Sequence, residues 1–349
     1  MTQNIYHENN QLPNIIVGRD LGLDTIKAFA TLLVIVGHVI QYTNVDFDHS
    51  LFFKVIYSFH MPLFMFISGY LMPKIMERKF LLLKFKQLVV PFVLWSLLLI
   101  SLNNPALIKA GDAYQFLDRC YQLFLRPDDG GLWFLWVLFL NFLVFTLLEG
   151  KYRIIFSIVI IAALTLLQFI NRDFTLFGLG LFRWHYFFFV LGFLARNDSV
   201  LTKIKINIWV VFIVTLVLMT QWDRTAITDF FGIAINSHAL VVFVTLMVKY
   251  LCAVGAIIVI FSLKDKLKVT NGFISIFALE SIGYYATQFL FFGVFALAWS
   301  LKDVNSYLDQ FYVFILISSC CTLSIVFLNK YSCTKKYLLG KVAKNNKLY

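Results

Sequence analysis

Ten runs of about twenty mostly apolar residues constrain this chain more than any other feature. They fall at 21–43, 51–72, 86–104, 132–149, 154–171, 180–196, 206–222, 243–263, 277–300 and 311–329. A helix needs about 20 apolar residues to cross a bilayer. Within hydrocarbon it must also satisfy every backbone polar group internally. The sequence therefore predicts an all-α integral membrane protein of about ten transmembrane helices. Composition agrees: 60% of residues are hydrophobic and 14% charged, against roughly 45–50% and about 25% in soluble domains. The stretch 228–242 is ambiguous between an interfacial or re-entrant segment and an eleventh partial span. The even helix count and the charge pattern favour the former.

The formal charge of +11 raises the question of nucleic acid. Its distribution answers otherwise. With the N-terminus inside, twenty of the 30 Lys and Arg residues fall in inner segments and eight in outer ones. Lys27 and Lys249 lie inside apolar runs. Such asymmetry is the positive-inside pattern, which predicts both termini cytoplasmic and needs no nucleic-acid partner. The expected organisation is a cytoplasmic tail (1–20), a transmembrane domain (21–329) and a basic cytoplasmic tail (330–349). The first twenty residues lack the basic and apolar regions of a cleavable signal peptide. Five cysteines without CxxC spacing predict neither a disulfide framework nor a zinc site.

The first apolar run reads RDLGLDTIKAFATLLVIVGHVIQYTN. Asp24 and Lys27 are three residues apart and can pair on one helix face. His38 is eleven residues beyond Lys27, which returns it to nearly the same face about 16 Å further along. Ionisable groups in a span are costly and usually face the protein interior. His38 therefore reads as a general base for a hydroxyl proton, or as a structural histidine bonded to a neighbouring helix.

The second run, YSFHMPLFMFISGYLM, places Pro62 inside a helix, where it removes a backbone hydrogen bond. His60 lies just before it, and Ser68 and Gly69 permit close helix approach. The loop that follows holds Lys74, Arg78, Lys79, Lys84 and Lys86. It reads as headgroup anchoring or as a clamp for a polyanion such as the phosphates of a coenzyme. No Walker-type loop or GxGxxG fingerprint competes for phosphates.

Together these segments resemble the acyltransferase 3 family of bacterial integral-membrane O-acyltransferases. The family's first helix carries an Asp, a basic residue and a His at the spacing of Asp24, Lys27 and His38. Its F-x-M-P-L-F…SG motif is matched by Phe59, Met61, Pro62, Leu63, Phe64, Ser68 and Gly69. A basic stretch leading into Pro is matched by Lys84, Lys86 and Pro91. GGLWFLWVLF, HYFFFVLGFLARN, SIGYYATQF and the closing LLG at 338–340 are weaker likenesses. The chain departs from the pattern in having Lys27 where Arg is usual and Gln288 where many members have His.

The resemblance implies acyl transfer from acetyl-CoA, a co-substrate, to a hydroxyl of a cell-surface or exopolysaccharide sugar, with no metal. His38 would be the catalytic base, and Asp24 and Lys27 would accompany it. Arg78, Lys79, Lys84 and Lys86 would hold coenzyme phosphates. His60, Ser68, Trp133, Arg183, His185 and Gln288 are candidates for a substrate channel. The expected setting is the bacterial cytoplasmic membrane. The acceptor would be a surface polysaccharide or lipid-linked sugar, with glycosyltransferases or export machinery as candidate partners. A polysaccharide export component on the same scaffold is the alternative.

Overall fold

Each of the ten apolar runs contains helix in the computed structural model, which describes residues 20–73, 78–105, 109, 111–127, 131–148, 150–170, 176–197, 207–268, 272–298, 301, 304 and 306–342. The helices are α1 (Leu21–Thr43), α2 (Leu51–Tyr70), α3 (Arg78–Asn103), α4 (Ala113–Leu125), α5 (Trp133–Leu147), α6 (Arg153–Ile170) and α7 (Leu179–Asn197). They continue as α8 (Ile208–Thr220), α9 (His238–Ser262), α10 (Gly272–Leu279), α11 (Ser281–Ala298), α12 (Tyr307–Lys330) and α13 (Ser332–Tyr337). Among the described residues, six helices are long and apolar enough to cross a membrane: α1, α2, α3, α9, α12 and the stretch Leu176–Arg196 that holds nearly all of α7. Helices α5, α8 and the 153–167 part of α6 are shorter apolar rods. The run expected at 277–300 is divided between α10 and α11 at Glu280. The ambiguous stretch 228–242 is a two-stranded antiparallel hairpin, Asp229–Phe230 against Ile233–Ala234, followed by the first turn of α9.

The outward faces are apolar. Trp209 and Ile213 on α8, Ile158 on α6, and Leu323 and Phe327 on α12 are each more than half exposed. Water would penalise such faces, whereas lipid covers them without cost. The chain is a helical membrane protein whose core is rich in phenylalanine. Phe53, Phe66, Phe92, Phe145, Phe182, Phe188 and Phe189 are fully buried. Many rings meet edge-to-face, such as Phe142 with Phe189 at 5.1 Å and 86°, the arrangement favoured by the ring quadrupole.

Helices α2 and α7 cross so closely that neither backbone admits a side chain. A Cβ on Gly69 would lie 1.9 Å from the Phe189 carbonyl oxygen, and one on Gly192 would lie 2.0 Å from that of Phe66. Small residues at a helix crossing allow this approach. Gly69 of the SG motif is thus a packing position, and the Ser68 hydroxyl donates to the Phe64 carbonyl within its own helix.

Helix α3 widens into a π turn at Phe85–Val89. Pro91 lacks the N–H that would bond the Gln87 carbonyl four residues back, which accounts for the irregularity. The LLG segment docks there: the Trp95 indole donates to the Leu338 carbonyl at 2.9 Å, and Gly340 abuts the Gln87 carbonyl. Lys341 is paired with Glu280 and also donates to Asn329 Oδ1 at 2.9 Å, which ties the segment to α12 and to the break between α10 and α11.

The bundle has two distinct ends. At one, Asp20 caps α1 by accepting from Leu23 N at 3.1 Å and pairs with Lys264 at 3.0 Å. Arg196 there donates to the Met72 carbonyl at the end of α2. The other end gathers the α1–α2 turn, the loop after α8, and the starts of α5, α7 and α9.

Candidate functional site

A cavity of about 1330 Å³ occupies this second end. Helix α1 contributes His38, Gln41 and Tyr42; α2 contributes Tyr57, His60, Met61 and Pro62. Trp133 opens α5, and Arg183, Trp184 and His185 come from α7. Trp222, Arg224 and Thr225 come from the loop after α8, His238 and Lys249 from α9, and Tyr285 and Phe289 from α11. Four of the chain's six histidines line this one space.

The hydrogen bonds of three of them set their tautomers. His38 Nδ1 lies 3.2 Å from Gln288 Oε1. The Gln288 amide nitrogen donates to the Tyr285 carbonyl at 3.1 Å, so the oxygen faces the imidazole. A carbonyl oxygen only accepts, so Nδ1 carries the proton and Nε2 keeps its lone pair. His60 Nδ1 meets the Ile56 carbonyl and His185 Nδ1 the Leu181 carbonyl, each at 2.7 Å. The same argument leaves Nε2 as the basic nitrogen of each.

Aromatic rings hold the imidazoles in place. His38 is 4.9 Å from Phe289 and 6.3 Å from Tyr57. Tyr57 also meets His60 edge-on at 4.8 Å, and its hydroxyl donates to Gln41 at 2.8 Å. Trp133 lies against His185 at 4.9 Å. Tyr285 clamps α11 to the start of α5: its hydroxyl donates to the Gly131 carbonyl at 2.6 Å and accepts from Phe134 N at 3.2 Å. Two weakly matching motifs, GGLWF and SIGYYATQF, thus meet at one tyrosine.

Charge at the mouth is partly neutralised. Arg224 grips both oxygens of Asp48 at 3.0 Å each. Burial opposes ionisation of Asp223, but hydrogen bonds from the Thr225 hydroxyl and amide and the nearby charges of Lys54 and Lys249 hold its carboxyl below the usual range. Among the described residues, no group of three His, Cys, Asp or Glu side chains is placed to hold a metal ion.

The structure brings together His38, His60, Trp133, Arg183 and His185, with Gln288 immediately behind His38. It leaves the remaining candidates elsewhere. Asp24 and Lys27 are half-buried on the His38 stripe of α1 but do not line the cavity. Ser68 donates to the Phe64 carbonyl within α2 and does not line the cavity. Arg78, Lys79 and Lys86 are exposed on α3, beyond the far end of α2. Lys84 lies over the Phe142 and Phe80 rings at 4.7 and 5.3 Å. Lys74 and residues 1–19 and 343–349 of the tails fall outside the described residues.

Between the two ends, a small void touches Thr31, Val34 and Ile35 of α1, and it shares Met61 and Tyr285 with the large cavity. Sequence reading missed Tyr57, Arg224, Lys249 and Tyr285 as site residues. Only Lys249 carried a local signal, a lysine inside an apolar run.

A family profile described as an acyltransferase domain matches residues 20–329. Nodulation protein NolL of Sinorhizobium fredii (strain NBRC 101917 / NGR234) is 35% identical over 190 residues, covering 50% of this chain and 48% of that protein. Nodulation protein NolL of Mesorhizobium japonicum (strain LMG 29417 / CECT 9101 / MAFF 303099) is 34% identical over 185 residues, with the same coverage. The chain thus spans about half the length of the curated relatives it matches. No solved structure matches it. With the family profile running from the cap of α1 to the end of α12, the chain belongs to the acyltransferase 3 family.

Proposed function

We propose that this protein is a membrane O-acyltransferase that moves an acetyl group from acetyl-CoA to a hydroxyl of a cell-surface or exopolysaccharide sugar. The observation that carries the reading is the His38–Gln288 bond, which puts the proton of the neutral imidazole on Nδ1 and leaves the Nε2 lone pair free, beside a cavity large enough for a sugar. His38 Nε2 accepts the proton of the acceptor hydroxyl as that oxygen attacks the thioester carbonyl carbon. The C–S bond then breaks, and the imidazolium returns its proton to the departing thiolate, so the base is regenerated. Tyr57, Phe289 and Trp133 exclude water and give the sugar ring apolar faces to lie on.

The basic residues Arg78, Lys79, Lys84 and Lys86 would hold the coenzyme phosphates at the opposite end, which the positive-inside pattern assigns to the cytoplasm. The small void beside Thr31 and Val34 lies along the line from Lys27 to His38 that the coenzyme's arm would follow. Lys27 and Asp24 sit at the start of that line. The cavity would then face the outer side, in a bacterial cytoplasmic membrane.

The test uses the purified full chain in lipid nanodiscs with acetyl-CoA and a glycan acceptor, and reads new O-acetyl signals by NMR. The wild type should acetylate and His38→Ala should not. Normal acetylation by His38→Ala would remove His38 from the mechanism. Replacing Arg78, Lys79 and Lys86 together should raise the KM for acetyl-CoA.

A further inference from the structure

The large cavity is charged on one side only. Arg183, Arg224 and Lys249 line it, and among the described residues no Asp or Glu does. Two of these cations are already engaged. The Arg224 guanidinium is taken by Asp48, with both carboxylate oxygens at 3.0 Å. Lys249 Nζ donates to the carbonyls of Arg224 and Thr225 at 2.8 and 3.1 Å, so one of its three N–H groups is left.

Arg183 differs. Its Nε is buried and has no hydrogen-bond partner among the described residues. A guanidinium in a membrane span with no counter-charge is costly and marks a binding or transport role by default. Trp133 and Trp184 line the same cavity, and flat aromatic faces suit the C–H face of a pyranose.

We infer that Arg183 recognises a carboxylate on the acceptor, so that the acceptor is an acidic sugar such as a uronic acid. This deepens the acyltransferase reading and rests on it. The unspent donor capacity fixes the size of the anion. An arginine fork grips one carboxylate through two parallel N–H···O bonds, and Lys249 has a single donor to add. With Asp48 paired to Arg224 and the Asp223 carboxylate near Lys249, the uncompensated charge is that of Arg183, which matches one negative charge, whereas a diphosphate would leave at least one further charge uncompensated in a low-dielectric wall. The carboxylate would also orient the ring, because a bidentate contact at one carbon limits which hydroxyls reach His38.

The experiment measures binding and turnover with the purified full chain. Trimers of galacturonic, glucuronic and mannuronic acid are each compared with the carboxyl-reduced neutral trimer, with inorganic pyrophosphate and free coenzyme A as further probes. At least one uronate should bind ten-fold or more tightly than its neutral counterpart, with the preference shrinking as salt rises. Arg183→Gln should bring the two within about two-fold through KM, while Arg183→Lys keeps part of the preference. Unchanged elution and melting profiles of both variants separate this from misfolding.

Equal affinity for every acid and neutral pair overturns the inference. So does a preference that survives Arg183→Gln, or a variant that loses pyrophosphate or coenzyme A binding with uronate binding intact. Neutral trimers acetylated as well as uronates would overturn it while leaving the acyltransferase reading in place. A uronate bound through Arg183 but never acetylated would overturn that reading and leave this one.

Discussion

His38 Nδ1 and Gln288 Oε1 meet at 3.2 Å although 250 residues separate them in sequence. Gln288 does not line the large cavity, so its expected role is to position His38. Gln288→Leu removes the acceptor and frees the imidazole to rotate and to change tautomer. We expect kcat to fall about ten-fold or more, with the KM for acetyl-CoA little changed. His38→Ala should cost about 10²–10⁴ in rate, the usual contribution of a general base. The decisive readout is the double variant. If Gln288 acts only through His38, the pair should be no slower than His38→Ala alone. Additive losses would show that Gln288 works independently.

The α2–α7 crossing gives a stability prediction. Gly69→Ala and Gly192→Ala each drive a Cβ to within about 2 Å of a backbone carbonyl oxygen, which no side-chain rotation relieves. Overpacking of this kind costs about 1–3 kcal/mol or more. Both variants should melt several degrees below the wild type. Gly272→Ala, where a Cβ meets nothing within 4 Å, should melt close to the wild type. Equal melting of all three variants would contradict the close crossing.

How much of this was legible in the sequence depended on distance along the chain. The α1 stripe was readable because Asp24, Lys27 and His38 obey one helical period. The apolar runs were readable because lipid demands length, and six of them, among the described residues, form helices long enough to span. The cavity was not readable. Arg183, Lys249 and Tyr285 converge only after α7, α9 and α11 pack around α2, and no local pattern encodes that packing. The break at Glu280 was hidden for the same reason: its partner Lys341 lies 61 residues further on. The hairpin at 229–234 was missed because its four strand residues are too few for an alternating pattern.

Tyr285 provides a third test. Its hydroxyl satisfies the Phe134 amide and donates to the Gly131 carbonyl. Tyr285→Phe keeps the ring and its contacts but leaves a buried N–H without a partner. An orphaned buried donor costs about 1–3 kcal/mol. The melting temperature should fall, and because α5 starts at this clamp, Trp133 should become more mobile, read as reduced fluorescence anisotropy in a variant keeping Trp133 as its one tryptophan. An unchanged melting profile would mean that another group satisfies the amide.

The last prediction concerns pH at the opposite end, where Asp20 caps α1 and pairs with Lys264 at 3.0 Å. Partial burial opposes the charge on Asp20. It is outweighed by the Lys264 hydrogen bond, the Leu23 amide, the Lys264 charge and the Gly22 amide, so the carboxyl sits below its usual range. A carboxyl with a lower pKa in the folded state stabilises the fold above its unfolded pKa of about 3.9, and that contribution is lost as pH falls through the folded pKa. For Lys264, burial is likewise outweighed by the Asp20 hydrogen bond and the charges of Tyr70, Asp20 and Asp265, so its ammonium sits above the usual range. Its contribution is complete below about pH 10.4 and is lost as pH rises through the folded value. The pair therefore stabilises the α1 terminus across the neutral range and fails on both sides of it. Being partly exposed, it should be weak and screened by salt. Asp20→Asn should lower the melting temperature by a small amount at pH 7, and its melting should vary less than the wild type's between pH 5 and pH 2. A variant that follows the wild-type curve in parallel through that interval would show that Asp20 caps the helix without titrating in the fold.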